Sequence, residues 1–373
     1  MTSFPVYTII HTTCHRQWGG LERRIFNESR WMAEQGHRII IIAPGRSPLA
    51  GKAAKQGWQT FHMDFTRTGA VKNIMALAKV FRKTEPDILN SHGNMDSKIA
   101  LAAAWRSNIP LVILSRHISA QVKPSWYNRL LYKTLCHYVF TTARYTTDHL
   151  IKALNLDPER VKTLPSGIIP PSHLPLHETA RKSLAEELGL SKNARFIGYV
   201  GRISEDKGLE CMAKAFLRIS SKFPDHNLVF VGDGDTELQE HLKVLFENKS
   251  NRIFFTGFKE NPWPYLRAFD CKVLASVEVE GISQSLLEAM YAGCPVIGSK
   301  VGGTRDIVVH KKTGLLFEPG DQNALSFMLS ETLSSRETAD NMSLNAHRLV
   351  SDRYTLNTIC SKIQDLYTTE LRR

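Results

Sequence analysis

Long apolar runs are missing from these 373 residues. No stretch approaches the roughly 20 residues that a membrane-spanning helix needs, and the first residues lack the layout of a secretory signal, so the chain is expected in the cytoplasm. Cysteine is sparse and scattered: Cys14, Cys136, Cys211, Cys271, Cys294 and Cys360 form no Cys-x-x-Cys pair. That spacing supports neither a zinc site nor a disulfide framework, and several of the six sit in apolar surroundings, as buried reduced thiols do. The fourteen histidines contain no His-Glu-x-x-His spacing, so metal-hydrolase chemistry has no support. Neither half carries Gly-x-Gly-x-x-Gly after its first strand, which argues against a dinucleotide oxidoreductase. Short-period repeats and low-complexity tracts are also absent.

What is present is enough apolar sequence, 42%, to bury two cores of ordinary domain size. Alternating strand and helix patterns predict parallel sheets. Strands are expected near Tyr7 to Ile10, Arg38 to Ala43, Asp87 to Ser91, Leu111 to Leu114 and Tyr138 to Thr141. Helices are expected at Leu21 to Gln35, Val71 to Thr84 and Met95 to Ser107. The proline-dense Pro170-Pro171-Ser172-His173-Leu174-Pro175 reads as a linker, and the alternation restarts at Phe196. These signals predict a first domain over 1–170 and a second over 171–354.

Charge is unevenly spread. Residues 1–170 hold 23 Lys and Arg against 10 Asp and Glu, a net +13, whereas residues 171–373 are close to neutral with 25 against 26. A basic face attracts anionic lipid surfaces, phosphorylated glycolipids or nucleic acid. Nucleic acid is disfavoured, because the basic residues follow ordinary helical pattern without clustered stacking aromatics. The segment Lys123-Pro-Ser-Trp126-Tyr127-Asn-Arg129-Leu130-Leu131-Tyr132-Lys133 mixes aromatic, aliphatic and basic residues as an interfacial helix does. It equally suits a helix packed on the sheet, with Leu130, Leu131 and Tyr132 inward.

The chemistry concentrates in the second half. A buried strand around Val273 and Leu274 leads into a turn containing Glu280 and Gly281, and then into a helix for which Ser283 is a candidate N-cap. Glu280 then lies at the positive end of that helix and Glu288 in its second turn. Two carboxylates beside backbone amides suit a polyhydroxylated ligand carrying phosphate. Gly293-Cys294-Pro295 and Gly302-Gly303-Thr304 repeat the strand-to-loop logic of doubly wound sheets. Gly201, Arg202, Lys207 and Gly208 follow another strand, and their two cations suit a diphosphate. Gly232-Asp233-Gly234-Asp235 superficially matches an Asp-x-Asp metal motif but follows the apolar strand Leu228 to Val231, and reads as a turn.

Together, Gly19-Gly20-Leu21-Glu22, Gly201-Arg202, Lys207-Gly208, Val231 to Gly234, and Glu280 to Glu288 with Gly293 to Ile297 resemble the retaining glycosyltransferases of family 4. The resemblance implies the GT-B fold, an α/β architecture of two doubly wound Rossmann-like parallel-sheet domains facing a deep interdomain cleft. It further implies that a last helix, within about 355–373, packs back on the first domain. By the same resemblance Arg202 and Lys207 hold the donor diphosphate, with amides of Gly281, Ile282 and Ser283. Glu288 binds the ribose, and Glu280 contacts hydroxyls of the transferred sugar. Gly19 and Gly20 are candidates to close over the donor.

The amino-terminal half resembles bacterial lipopolysaccharide and surface-polysaccharide transferases through Ile113-Leu114-Ser115-Arg116-His117-Ile118-Ser119. That likeness implies that His117 faces the donor sugar, while Arg116 departs from the small residues common there. The expected co-substrate is a nucleotide sugar, a UDP-sugar before GDP-mannose, with no metal or other cofactor. The expected acceptor is a glycolipid or lipopolysaccharide-type glycan at an anionic membrane surface, with no nucleic acid partner. A nucleotide-sugar epimerase, a non-catalytic sugar-nucleotide-binding module and a glycosidase using Glu280 and Glu288 are the alternatives. The glycosidase is disfavoured because both carboxylates share one helix start.

Overall fold

The computed structural model describes residues 5–117, 122–245, 252–278 and 281–372. The chain divides into two compact units, Met1–Gly167 with Leu356–Arg373, and Ile168–Thr355. In the first unit β1 (Thr8–Thr12), β2 (Arg38–Ala43), β3 (Gln59–His62), β4 (Ile88–Ser91), β5 (Leu111–Arg116), β6 (Tyr138–Thr141) and β7 (Val161–Thr163) form a sheet in the order β3-β2-β1-β4-β5-β6-β7. Every pairing in it is parallel.

The inner strands are largely apolar because a parallel sheet flanked by helices is covered on both faces; β2 is buried from Ile39 to Ala43. The two-residue period then sorts alternate side chains between two layers. Ile10, Ile40, Ile42 and Leu89 pack with Leu77 and Phe81 of the helix Ala70–Thr84, Ile99 of Asn94–Ser107 and Leu150 of Arg144–Leu154. Ile9, Ile39, Ile41 and Ile113 join Ile25 and Met32 of the helix Gly20–Glu34 in the opposite layer.

The helix Leu356–Leu371 completes that second layer. Its buried Ile359, Cys360, Ile363 and Tyr367 recur at helical spacing, as an amphipathic face requires. Trp31 Nε1 donates to Asn357 Oδ1 at 3.0 Å, and Tyr367 hydrogen-bonds Asn90 of β4. The last residues are thus part of the first unit's core.

In the second unit β8 (Arg195–Val200), β9 (His226–Val231), β10 (Ile253–Phe255), β11 (Cys271–Leu274), β12 (Val296–Ser299) and β13 (Leu315–Phe317) form a parallel sheet in the order β10-β9-β8-β11-β12-β13. One continuous core unites its two faces, from Phe196 and Phe230 to Leu286 and Leu325.

Both sheets reverse direction of winding once, between β1 and β4 in the first unit and between β8 and β11 in the second. Ligands of open α/β sheets bind outside the carboxyl ends of strands at such switch points. Ile363→Ala, which removes a side chain only 2% exposed, is expected to destabilise the first unit by about 2–5 kcal/mol. Urea denaturation will show it as a lowered midpoint; an unchanged midpoint would mean the helix contributes no core.

Candidate active site

At the second unit's switch point the loop after β8 carries Arg202 and Lys207. The Arg202 side chain is 71% exposed and that of Lys207 only 18%. Asp206 holds both: its Oδ2 lies 2.8 Å from Lys207 Nζ and its Oδ1 3.8 Å from Arg202 Nη2. Burial alone would push the Asp206 carboxyl up. Hydrogen bonds from Lys207 and Ser204 and the charges of Lys207 and Arg202 outweigh that and leave it below the usual range, so it is ionised at neutral pH. Sequence reading passed over Asp206, although its place between the two cations in one short loop was the available signal.

The neighbouring loops are joined through the backbone. Gly208 has φ +63°, and a Cβ there would stand 2.1 Å from the carbonyl oxygen of Ala275 at the end of β11. Val277 N–H donates to Asp206 O at 2.9 Å. Ser285, in the first turn of the helix Gln284–Tyr291, donates from Oγ to Val200 O at 2.8 Å. On the other side, Ile203 N–H donates to Asp233 O and Asp235 N–H to Ile203 O, both at 2.9 Å. The loop after β12 closes the set: a Cβ on Gly303 would come within 2.7 Å of Ile282 N.

Gly201, Arg202, Lys207, Gly281, Ile282 and Ser283 are therefore carried by loops in direct contact. Glu288 lies in the second turn of its helix and is half-buried. Glu280, with Val279, lies outside the described residues. Ser283 occupies the N-cap position but makes no side-chain cap hydrogen bond, and its Oγ stands 3.4 Å from Ser285 Oγ. Gly232 to Asp235 forms a turn whose carboxylates serve the backbone: Asp233 Oδ1 accepts from Phe258 N–H at 2.9 Å and Asp235 Oδ1 from Leu238 N–H at 3.0 Å.

In the first unit Gly19 precedes the helix Gly20–Glu34, and its N–H donates to Glu22 Oε2 at 2.9 Å. Buried Glu22 also meets His15 Nδ1 at 3.3 Å. His117 follows β5 and is half-buried. Its Nε2 lies 2.9 Å from His92 Nδ1, and His92 Nε2 lies 2.8 Å from His11 Nδ1. Burial, then the charges of Arg24 and His15, hold His117 well below the ordinary imidazole range. Arg116 Nη1 donates to Tyr132 OH at 3.4 Å, which ties the strand end to the π-helical turn Leu130–Thr134. Ile118 and Ser119 lie outside the described residues.

The family models match almost end to end: "Glycosyltransferase Family 4" over residues 18–170 and "Glycosyl transferases group 1" over residues 180–349. The chain belongs to the family 4 glycosyltransferases. Its two parallel-sheet units are the Rossmann-like halves of the GT-B fold. Among curated relatives, the transferase is 27% identical over 311 residues to the Escherichia coli UDP-Gal:alpha-D-GlcNAc-diphosphoundecaprenol alpha-1,3-galactosyltransferase, covering 80% of this chain and 79% of that one. Among solved structures, a glycosyltransferase from Rickettsia africae superposes with a TM-score of 0.88 at 19% identity over 99% of this chain and 100% of that one. Anabaena HepE in complex with UDP superposes with a TM-score of 0.79 at 18% identity, covering 97% and 100%.

Gly208→Ala is expected to cost the transferase at least about 1 kcal/mol, since a side chain at left-handed φ is strained before its clash with Ala275 is counted. A thermal or urea midpoint equal to that of the parent protein would contradict the loop contact.

Proposed function

We propose that the transferase moves a sugar from a nucleotide sugar, UDP ahead of GDP, to a lipid-linked or lipopolysaccharide-type glycan, retaining the anomeric configuration and requiring no metal. The observation that carries this reading is the Arg202–Asp206–Lys207 cluster at the carboxyl ends of β8 and β11. There two fixed cations and nearby amides offer a diphosphate the charge compensation that a divalent cation would otherwise supply. HepE holds UDP, and the Escherichia coli relative takes UDP-Gal to a diphosphoundecaprenol-linked sugar; both favour a uridine donor, and the second also favours this acceptor class.

In the proposed reaction Arg202 and Lys207 stabilise charge that grows on the leaving nucleoside diphosphate. Amides of Ile282 and Ser283, following Gly281, contribute to the same phosphate, and Glu288 accepts from the ribose hydroxyls. Glu280 is assigned to hydroxyls of the transferred sugar, His117 to the sugar itself, and Gly19 and Gly20 to closing over the donor. The acceptor hydroxyl attacks the anomeric carbon on the face from which the diphosphate departs, and its proton passes to a phosphate oxygen. Arg202→Ala, at an exposed side chain whose loss leaves the fold intact, is expected to lower turnover by about two to three orders of magnitude. Steady-state transfer from UDP-sugars to a lipid-diphosphate glycan measures it, and unchanged turnover refutes the assignment.

Membrane attachment of the first unit belongs to the same proposal. No helix among the described residues is long and apolar enough to cross a membrane. Instead Trp126, 77% exposed, and Trp105, 71% exposed, stand among the excess basic residues, while Leu131 and Tyr132 of the same 123–133 segment are buried. Surface aromatics with cationic neighbours suit an anionic leaflet, which supports a proposed site of action at the inner face of the cytoplasmic membrane. Flotation with anionic vesicles should carry the protein at low salt and release it at high salt. Failure to float at low salt would end this part of the proposal.

A further inference from the structure

Three histidines lie in a row at the first unit's switch point. His11 belongs to β1, His92 follows β4 and His117 follows β5, three strands adjacent in the sheet. Their rings lie end to end, with centroids 5.1 and 5.2 Å apart and planes inclined by 27° and 26°. The nitrogens meet at 2.8 Å between His11 Nδ1 and His92 Nε2, and at 2.9 Å between His92 Nδ1 and His117 Nε2.

A neutral imidazole has one donor nitrogen and one acceptor nitrogen. The two bonds are therefore coupled: either all three rings carry the proton on Nδ1, or all three carry it on Nε2. Any mixture sets two lone pairs or two N–H groups against each other. Burial holds His11 down to about 4, and burial with the Arg24 charge holds His92 and His117 well below the usual range. The row is thus neutral at physiological pH.

The inner end of the row decides between the two patterns. His11 Nε2 is buried and has no hydrogen-bond partner among the described residues. A proton there would be a buried donor without an acceptor, which folded proteins avoid more strictly than an unfilled lone pair. His92 is also pinned by its backbone, whose N–H donates to Thr12 O at 3.1 Å and to Asp96 Oδ2 at 3.3 Å. Asp96 Oδ2 further accepts from Thr12 Oγ1 and Ser91 Oγ, both at 3.1 Å.

We infer that His11 and His92 are positioning residues that fix His117 in its Nδ1-protonated tautomer, so that His117 meets substrate as a hydrogen-bond donor and not as a base. This rests on the reading that His117 contacts the transferred sugar, whose oxygens such an N–H would bind. The same row denies His117 the lone pair needed to take the acceptor's proton, in keeping with transfer of that proton to the leaving phosphate.

The test is long-range proton–nitrogen NMR of protein labelled with nitrogen-15 histidine, with the three signals assigned from single substitutions. The wild-type spectrum at neutral pH should show all three rings protonated on Nδ1; protonation on Nε2 overturns the inference. In His92→Gln, whose side-chain amide can either accept from or donate to the ring, His117 should shift toward Nε2 protonation, the form favoured by an unconstrained imidazole. Its kcat should fall about tenfold or more, with a smaller change in donor KM. A His117 signal still fixed on Nδ1 in that variant would show that the row does not set the tautomer. The wild-type spectrum decides even if the variant fails to fold. It also requires no substrate, so absent transfer activity would count against the donor reading alone.

Discussion

Parallel strand direction is the constraint on which both units depend. A parallel sheet must return each strand through a helix, so every carboxyl end emerges on the same edge and the loops there are forced into company. In the second unit this crowding is resolved at the backbone. The loops after β8, β9, β11 and β12 touch through carbonyls and amides where side chains would not fit, at Gly208 against Ala275 and Gly303 against Ile282. The cations of the first of these loops are consequently mounted on a frame shared by four strands and not on a free turn.

The two units prepare their carboxyl edges by opposite electrostatic means. The second keeps its groups ionised and partly exposed, with Asp206 restraining Arg202 and Lys207 without burying them. The first buries its groups. Arg24 and Glu28 pair at 2.6 Å deep in the helix Gly20–Glu34, where burial pushes the Glu28 carboxyl up and Arg24 pulls it down. Such a pair is weak evidence of stabilisation, because desolvation offsets the attraction. Its clearer effect is a positive charge that adds to burial in holding His92 and His117 below the ordinary imidazole range.

Much of the fold was legible because fully buried strands leave a local signature. Arg38 to Ala43 and Tyr138 to Thr141 were bounded as they occur. The edge strands β3 and β7 were not: Gln59–His62 is half-exposed and Val161–Thr163 has three residues, so neither carries a long apolar run. In the site, Arg202, Lys207 and the turn before Gln284 were readable as glycine-flanked loops after strands. The histidine row was not, since His11 and His92 are joined by strand order, and pairing of β1 with β4 across some eighty residues is invisible to spacing.

The helix Leu356–Leu371 carries a consequence for biosynthesis. Domains generally fold as units while the chain emerges, amino-terminal parts first. Here the first unit's layer of Ile9, Ile41 and Ile113 stays open until Ile359, Ile363 and Tyr367 have left the ribosome. The second unit, whose residues run without interruption from Ile168 to Thr355, finishes earlier. The part of the protein translated first is thus the last to close, and a chain cut short just after Thr355 would carry one finished half and one uncovered sheet.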